Sequence, residues 1–594
     1  MKFASLITLL AMISLPISAS KRSDIDAIIQ ENARVEIKDY QLMLVGGGLN
    51  TCSSLSQGAC LSNDYSEQDK QQNLYQFSPQ RLGALKNSRP FLQQSENYQQ
   101  DLAKVLQHIY ARLEDKQLTR DELRTAFDRT QLSRINGALF YDEIPGPLFD
   151  AMLDHLEVPQ LDEQGKRKRE RVALDNNSNR YARFLYRQFV LMAKSRLPGD
   201  SQAKPIIAVI TASSRDPFES ADFYQSVFEQ AGAEVIWLPL DKSYQDAREL
   251  EAQGLPGCAR LSEIRAANGS FNREALYTQR AELQQQYCQQ PDRMAEQLGR
   301  VQGVFFNGGD QSRTLAALTQ SDGSDSPELA LIKQRFAAHQ LVVGGTSAGT
   351  AVQSGGLFAQ RPVPMISSGT SEMAFRRGAF AAAPPPESCA NQQVCANGLM
   401  GADLTYKALG GSGLFSLGIL DTHFSERDRE ARLALLASAT ETRFAFGVDE
   451  ATALLMGKTD GQTKLAVLGQ GGVFMLDMQR GIYKIQDQKR QVVGMSHYLN
   501  HGDTAGFDSQ SQTLHFDLNP SVPEPTAKQI SDVDHPGQWR RQLLQNCSGK
   551  TPVRWQQDGI AQVVMPTEDT RFVPRLVADR PQCSYINLAF GLEN

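Results

Sequence analysis

The chain has 594 residues, a formal net charge of −6 and 41% hydrophobic residues. That length exceeds one ordinary domain and predicts two or three units. The 22% charged content is that of a globular protein, and the mild acidity excludes a nucleic-acid binder that works through a basic face.

The first twenty residues, MKFASLITLLAMISLPISAS, carry a basic start at Lys2, an apolar run and the small residues Ser18-Ala19-Ser20. This predicts a secretory signal peptide and a secreted or periplasmic chain. The run is short for a membrane anchor, and no later run is long enough to span a bilayer, so no stable membrane insertion is expected after cleavage. An apolar run over 40–45 closes in Gly46-Gly47-Gly48, which reads as a buried strand ending in a tight turn. The polar stretch 51–175 reads as a mostly helical insertion, with Thr119 placed to cap a helix over 120–129. Its basic run KRKRER, 166–171, reads as a solvated helix or linker.

From 176 the pattern becomes regular. An amphipathic helix over 180–197 precedes the buried run PIIAVITASS, 205–214. Helix and strand then alternate through AEVIWLPL, VQGVFFNGGD (301–310), LALIKQRFAAHQ and LVVGGTS. This alternation predicts a parallel sheet with helices on both faces, and ligands bind such sheets at the carboxyl ends of the strands. There, Gly345-Thr346-Ser347-Ala348-Gly349 fits the G-x-S-x-G nucleophile elbow, a sharp strand-to-helix turn that lifts a serine hydroxyl clear of the sheet. It also aims the following N–H groups at one point, which suits an oxyanion. His423 is the best-placed base. It follows an apolar strand over 417–421, two residues after Asp421, on the same sheet edge as Ser347, and Ser425 with Asp428 forms an S-x-x-D cap for the next helix.

The eight cysteines fall into four local couples: Cys52–Cys60, Cys258–Cys288, Cys389–Cys395 and Cys547–Cys583. None has CxxC or zinc-ligand spacing, so disulfides are expected and a metal is not.

Six blocks, LMLVGGG, VITASS, VFFNGGDQSR, GGTSAGT, DTHFSERDREAR and FGVDEATAL, resemble those of serine peptidase family S51, cyanophycinase-like branch, in family order. They cover about 40–50 and 176–510. Thr350 stands where the family usually has Ala, and Thr422 where Gln is common. The resemblance implies an α/β, doubly wound, mostly parallel sheet of flavodoxin-like form, related to class I glutamine amidotransferases. The insertion 51–175 and a C-terminal extension, 511–594, would lie outside it. It implies a triad of Ser347, His423 and an acid between them, assigned to Glu372 with Asp403 and Glu387 as alternatives. The oxyanion hole would use the N–H of Ala348 and one from the Gly308-Gly309 turn, assigned to Gly309. Asp310, Gln311, Asp421, Arg427, Arg429 and Arg432 would shape the substrate pocket. The implied activity is hydrolysis of multi-L-arginyl-poly-L-aspartate to β-Asp-Arg dipeptides through an acyl-enzyme, without cofactor. Two other readings stay open: another family member such as an aspartyl dipeptidase, and a non-catalytic binding protein of the same fold. The partner is a peptide or poly-aspartate-type polymer; a homodimer is left open.

Overall fold

The computed structural model describes residues 35–594 apart from 63, 64, 67, 68, 115, 200, 387, 388, 390–393, 396, 460, 520–524, 527–536, 578 and 579. The expected signal peptide and Glu387 lie outside the described residues.

Two large sheets organise the chain. Their strands are, in order, β1 Leu42–Val45, β2 Ile206–Ile210, β3 Glu234–Trp237, β4 Gly303–Phe306, β5 Val342–Thr346, β6 Ile419–Thr422, β7 Phe444–Val448 and β8 Thr452–Thr459. There follow β9 Gln462–Gly469, β10 Gly472–Gln486, β11 Lys489–Asn500, β12 Thr504–Asp508, β13 Thr513–Asp517, β14 Val553–Gln557, β15 Ile560–Val577 and β16 Arg580–Glu593. The first sheet has nine strands in the order β13-β12-β9-β8-β1-β5-β4-β2-β3. Its β1, β5, β4, β2 and β3 run parallel, and β8, β9, β12 and β13 add antiparallel pairs beside β1.

The parallel strands read as unbroken apolar runs because both of their faces are covered. Leu42, Leu44, Ala208, Ile210, Val304 and Phe306 bury one face, under helices that contribute Tyr244, Leu298 and Ile332. Met43, Val45, Ile207, Val209, Phe305 and Val342 bury the other, under Phe184, Phe189 and Met192 of the helix Arg180–Lys194. The sequence alternates between the two clusters with the strand period of two.

The second sheet has seven strands, β6-β7-β10-β11-β16-β15-β14. Only β6 and β7 are parallel in it. It packs on the helix Glu430–Ala439 and, through Trp539 and Leu543, on the helix Gln538–Gln545. Two expectations change here. Strand β6, which leads into His423, belongs to this second sheet and not to the sheet of Ser347. The stretch beyond 510 is not an appendage: the β12–β13 hairpin widens the first sheet, and β14–β16 build nearly half of the second.

The insertion has its own apolar centre, with Leu102, Leu106, Leu123, Phe127, Leu148 and Met152 among its buried residues. Thr119 caps the helix Arg120–Asp128 in a reciprocal box with Glu122. The run 166–171 is not helical; it carries one isolated bridge, from Arg167 to Leu161. The four cysteine couples are bonded as the local pairing predicts. Among the described residues no helix is long and apolar enough to cross a membrane.

Candidate active site

Strand β5 is fully buried and ends at a corner where Ser347 holds φ 53° and ψ −115°. A left-handed φ is costly for a residue with a Cβ and persists only where surrounding bonds fix it. The fixing bonds are present: the Ser347 N–H donates to the Val45 carbonyl (2.9 Å), and its own carbonyl accepts from Thr350 and Ala351. The flanking glycines have no alternative. A Cβ on Gly345 would stand 2.1 Å from the Gly349 carbonyl oxygen, and one on Gly349 would stand 2.3 Å from that of Phe306. Thr350, in place of the usual alanine, puts its hydroxyl 2.7 Å from the Val45 carbonyl and 2.8 Å from that of Gly345, tying β1 to the elbow.

His423 leaves β6, also with a positive φ of 47°, and its N–H donates to the Gly46 carbonyl at 2.7 Å. Its Nε2 lies 2.9 Å from Ser347 Oγ and its Nδ1 lies 2.6 Å from Glu450 Oε1. A carboxylate only accepts, so Nδ1 carries the proton and Nε2 is left to accept from the serine hydroxyl. The Gly46-Gly47-Gly48 turn makes room for this pair. A Cβ on Gly47 would meet the His423 ring at 2.3 Å, and one on Gly48 would meet Glu450 Cβ at 2.5 Å. The hydrogen bond from His423 holds the Glu450 carboxyl below its ordinary range, against the opposing effect of burial.

The acid is where the expectation fails. Glu372 is half-exposed and faces Arg376 at 3.7 Å. Asp403 is buried against Arg377 (2.8 Å) and the Met400 N–H. Neither meets His423. Glu450 lies after the histidine, in the block FGVDEATAL, where β7 emerges beside β6. Serine, histidine and acid can come in any chain order, and the carboxylate that meets His423 lies outside the span between Ser347 and His423. The strand exit ending in Asp449-Glu450 was the available signal.

On the other side of the serine, the Gly308-Gly309 turn passes close enough that a Cβ on Gly308 would lie 3.3 Å from Ser347 Cβ. The Tyr224 hydroxyl, beside this turn, is pushed up to about 12 by burial, against the opposing effect of the Gly308 backbone. Among the described residues no acceptor takes the N–H of Gly309 or of Ala348.

The expected pocket residues divide. Asp310 caps the helix Gln311–Leu318, accepting from Ser312 at 2.7 Å. Gln311 spends its amide on the Ile366 and Ser367 carbonyls at 2.9 and 3.0 Å. Asp421 is buried and bound by Arg432 through two bonds of 2.8 and 2.6 Å and by Arg429 at 3.2 Å. Arg432 also donates to the Gly369 carbonyl, and Arg429 to that of Thr422 at 2.5 Å. Burial pushes the Asp421 carboxyl up, yet Arg432 and Arg429 outweigh it and hold it low. Burial and the like charge of Arg432 bring Arg429 down to about 9. These three residues brace one another, whereas Arg427 stays exposed beside Glu450. The expected Ser425 cap is absent, because Asp428 turns left-handed and the helix begins only at Glu430.

A further group supports Glu450 from behind. Its N–H donates to Glu426 Oε2 (3.1 Å), Glu426 faces Arg540 at 3.3 Å, and Arg540 binds Asp449 at 2.9 Å. Arg540 comes from the region beyond 510 and has no motif to announce it.

No family model matches the chain. It is similar to the cyanophycinase of Trichormus variabilis, 27% identical over 275 residues, which are 46% of this chain and 64% of that protein. It is similar to the cyanophycinase of Geminocystis herdmanii, 26% identical over 303 residues, 51% of this chain and 75% of that one. The chain therefore spans a little under two thirds of the length of the former, at 64%. Among solved structures, a peptidase from an acI-B1 Actinobacterium matches at a TM-score of 0.30 and 15% identity, covering 54% of this chain and 90% of that one. That score is too low to bear on the fold. The chain is cyanophycinase-like, at 26–27% identity over about half its length.

Proposed function

We propose that the chain is a serine-type peptidase in which Ser347 is the nucleophile, His423 the base and Glu450 the acid that orients it. The observation that carries this reading is the relay of two hydrogen bonds, 2.9 Å from serine to histidine and 2.6 Å from histidine to Glu450. Ser347 Oγ adds to the carbonyl carbon of the scissile amide while His423 Nε2 takes its proton. The imidazolium then gives that proton to the leaving nitrogen. Water repeats the sequence on the acyl-enzyme. Glu450 keeps the tautomer correct and stabilises the imidazolium without taking the proton. The N–H groups of Ala348 and Gly309 receive the developing oxyanion.

The proposed substrate is multi-L-arginyl-poly-L-aspartate, cut to β-Asp-Arg dipeptides, on the strength of the similarity to cyanophycinases. Arg427 is the cation offered to a substrate carboxylate. The strand order β3-β2-β4-β5 supports a flavodoxin-like winding, since it follows the 2-1-3-4 sequence of that class. Four disulfides support an oxidising, exported setting.

The test is release of soluble dipeptide from the insoluble polymer, run beside hydrolysis of free Asp-X dipeptides. Ser347→Ala and His423→Ala should lose at least about a hundredfold. Glu450→Gln should lose about as much or more, and Glu372→Gln should stay near wild type. Full activity in Ser347→Ala would sink the mechanism. Turnover of free dipeptides with none of the polymer would move the substrate to the aspartyl dipeptidase class.

A further inference from the structure

The basic run 166–171 is not an open linker. It forms one wall of a cleft of about 680 Å³, a ligand-sized volume, whose other wall is the segment 276–280. Six cations line it: Lys166, Arg167, Lys168, Arg169, Arg171 and Arg280. Only Asp69 and Asp162 oppose them along the lining, in a chain whose net charge is −6.

Several of these cations are already set in place. Arg167 binds Asp222 at 2.6 Å and stacks 4.6 Å over the Tyr277 ring. Arg280 shares that same Asp222, so two guanidiniums divide one carboxylate. Arg169 is held by Gln279 at 3.0 Å. The strap backbone itself is tied at two points. Lys168 N–H donates to the Gln160 carbonyl at 2.7 Å, and Ser54 N–H donates to that of Arg171 at 2.8 Å. Such pre-ordering lowers the entropic cost of binding.

The cleft also carries an unmet demand for negative charge. Arg280 is nearly buried, and among the described residues its Nε has no hydrogen-bond partner. Burial, joined by the like charges of Arg167 and Arg169, holds its guanidinium below the ordinary value in spite of Asp222.

We propose that this cleft binds an acidic peptide segment, a chain of spaced carboxylates. The strap sets Arg167, Arg169 and Arg171 along one wall of the cleft. An extended peptide presents its same-face carboxylates at roughly 6.6 Å, a spacing that separate cations along a wall can meet one at a time. Guanidinium forks donate two bonds to one carboxylate, and the interleaved Asp69 and Asp162 disfavour a denser polyanion. The proposal goes beyond the peptidase reading and does not need it.

The experiment measures fluorescence anisotropy of a labelled short poly-L-aspartate with full-length Ser347→Ala protein, so that binding is read without turnover. Inorganic polyphosphate of matched charge and poly-L-glutamine are the competitors. Binding should weaken with added salt. Lys166→Glu with Arg169→Glu should weaken it by at least about tenfold. The control pair Arg480→Glu with Lys484→Glu, exposed on the second sheet, should leave it within about twofold. Thermal melts check that both pairs fold; if the strap pair does not, Lys166→Gln alone should still weaken binding measurably. No binding of poly-L-aspartate, an equal loss in the control pair, or polyphosphate competing as well as poly-L-aspartate would each overturn the proposal.

Discussion

Two buried ion clusters flank His423, and they are built in opposite ways. The first is closed within the segment 421–432, where Asp421 is bound by Arg429 and Arg432 of the same motif. The second is gathered from far along the chain. Asp449 binds Arg540, the Tyr498 hydroxyl, and the N–H groups of Ser425 and Gly472. The difference shows that a charged motif residue is not by that fact a substrate group. The guanidiniums of Arg429 and Arg432 are engaged by the one carboxylate of Asp421. It shows too that the region beyond 510 reaches the site, through Arg540, Glu426 and the Glu450 backbone.

The largest effect should come from breaking the local cluster. Arg432→Ala removes the two-bond partner of Asp421 and leaves a buried carboxylate with Arg429 as its one cation, beside the Thr422 N–H. Removing one member of a buried pair costs about 3–5 kcal/mol. Chemical denaturation should show that loss, and a Cm shift worth less than about 1 kcal/mol would mean that Arg432 is not a brace.

Breaking the dispersed cluster should cost less stability and more function. In Arg540→Ala, Asp449 keeps one hydroxyl and two N–H donors, so the expected loss is about 2 kcal/mol. Glu426 loses its cation, and through it the Glu450 backbone loses its anchor. If Glu450 is the acid, kcat should fall with little change in KM, since a mispositioned relay weakens only the reacting step. Arg540→Lys should recover part of the rate. A variant that loses 2 kcal/mol yet keeps full kcat would separate the C-terminal region from the site.

This contrast also marks what the sequence made legible. The parallel strands, the elbow at Ser347 and His423 could be read, because each rests on a local pattern: a continuous apolar run, a glycine spacing, a strand exit. The cysteine couples were legible for the same reason. Glu450 and Arg540 were not. Glu450 is brought to His423 only by the parallel pairing of β6 with β7, a register that composition does not encode. Arg540 arrives through a helix seated on the second sheet by Trp539, and nothing near it in sequence carries a family block. For Arg429 and Arg432 the pattern was plain but the pairing with Asp421 was not, because it depends on how β6 and the following helix meet.

The smallest effect tests the dispersed cluster by pH. Burial, then the like charge of Asp449, pushes Glu426 up to about 7 from its ordinary 4.5. A carboxyl raised on folding is protonated more readily in the native state than in the unfolded one. Its contribution to stability is therefore complete below about 4.5 and is lost as pH climbs through about 7. The loss should be on the order of 2 kcal/mol. Glu157 and Glu170 are also raised to about 7, so the wild-type slope alone does not identify its source. Glu426→Gln does, because the amide oxygen can still accept the Glu450 N–H while the titration disappears. Between pH 4.5 and 7 the variant's melting temperature should fall less steeply than that of the wild type. Superimposable slopes would mean that Glu426 is ionised throughout, paired to Arg540 as a plain salt bridge, and that the second cluster is as closed as the first.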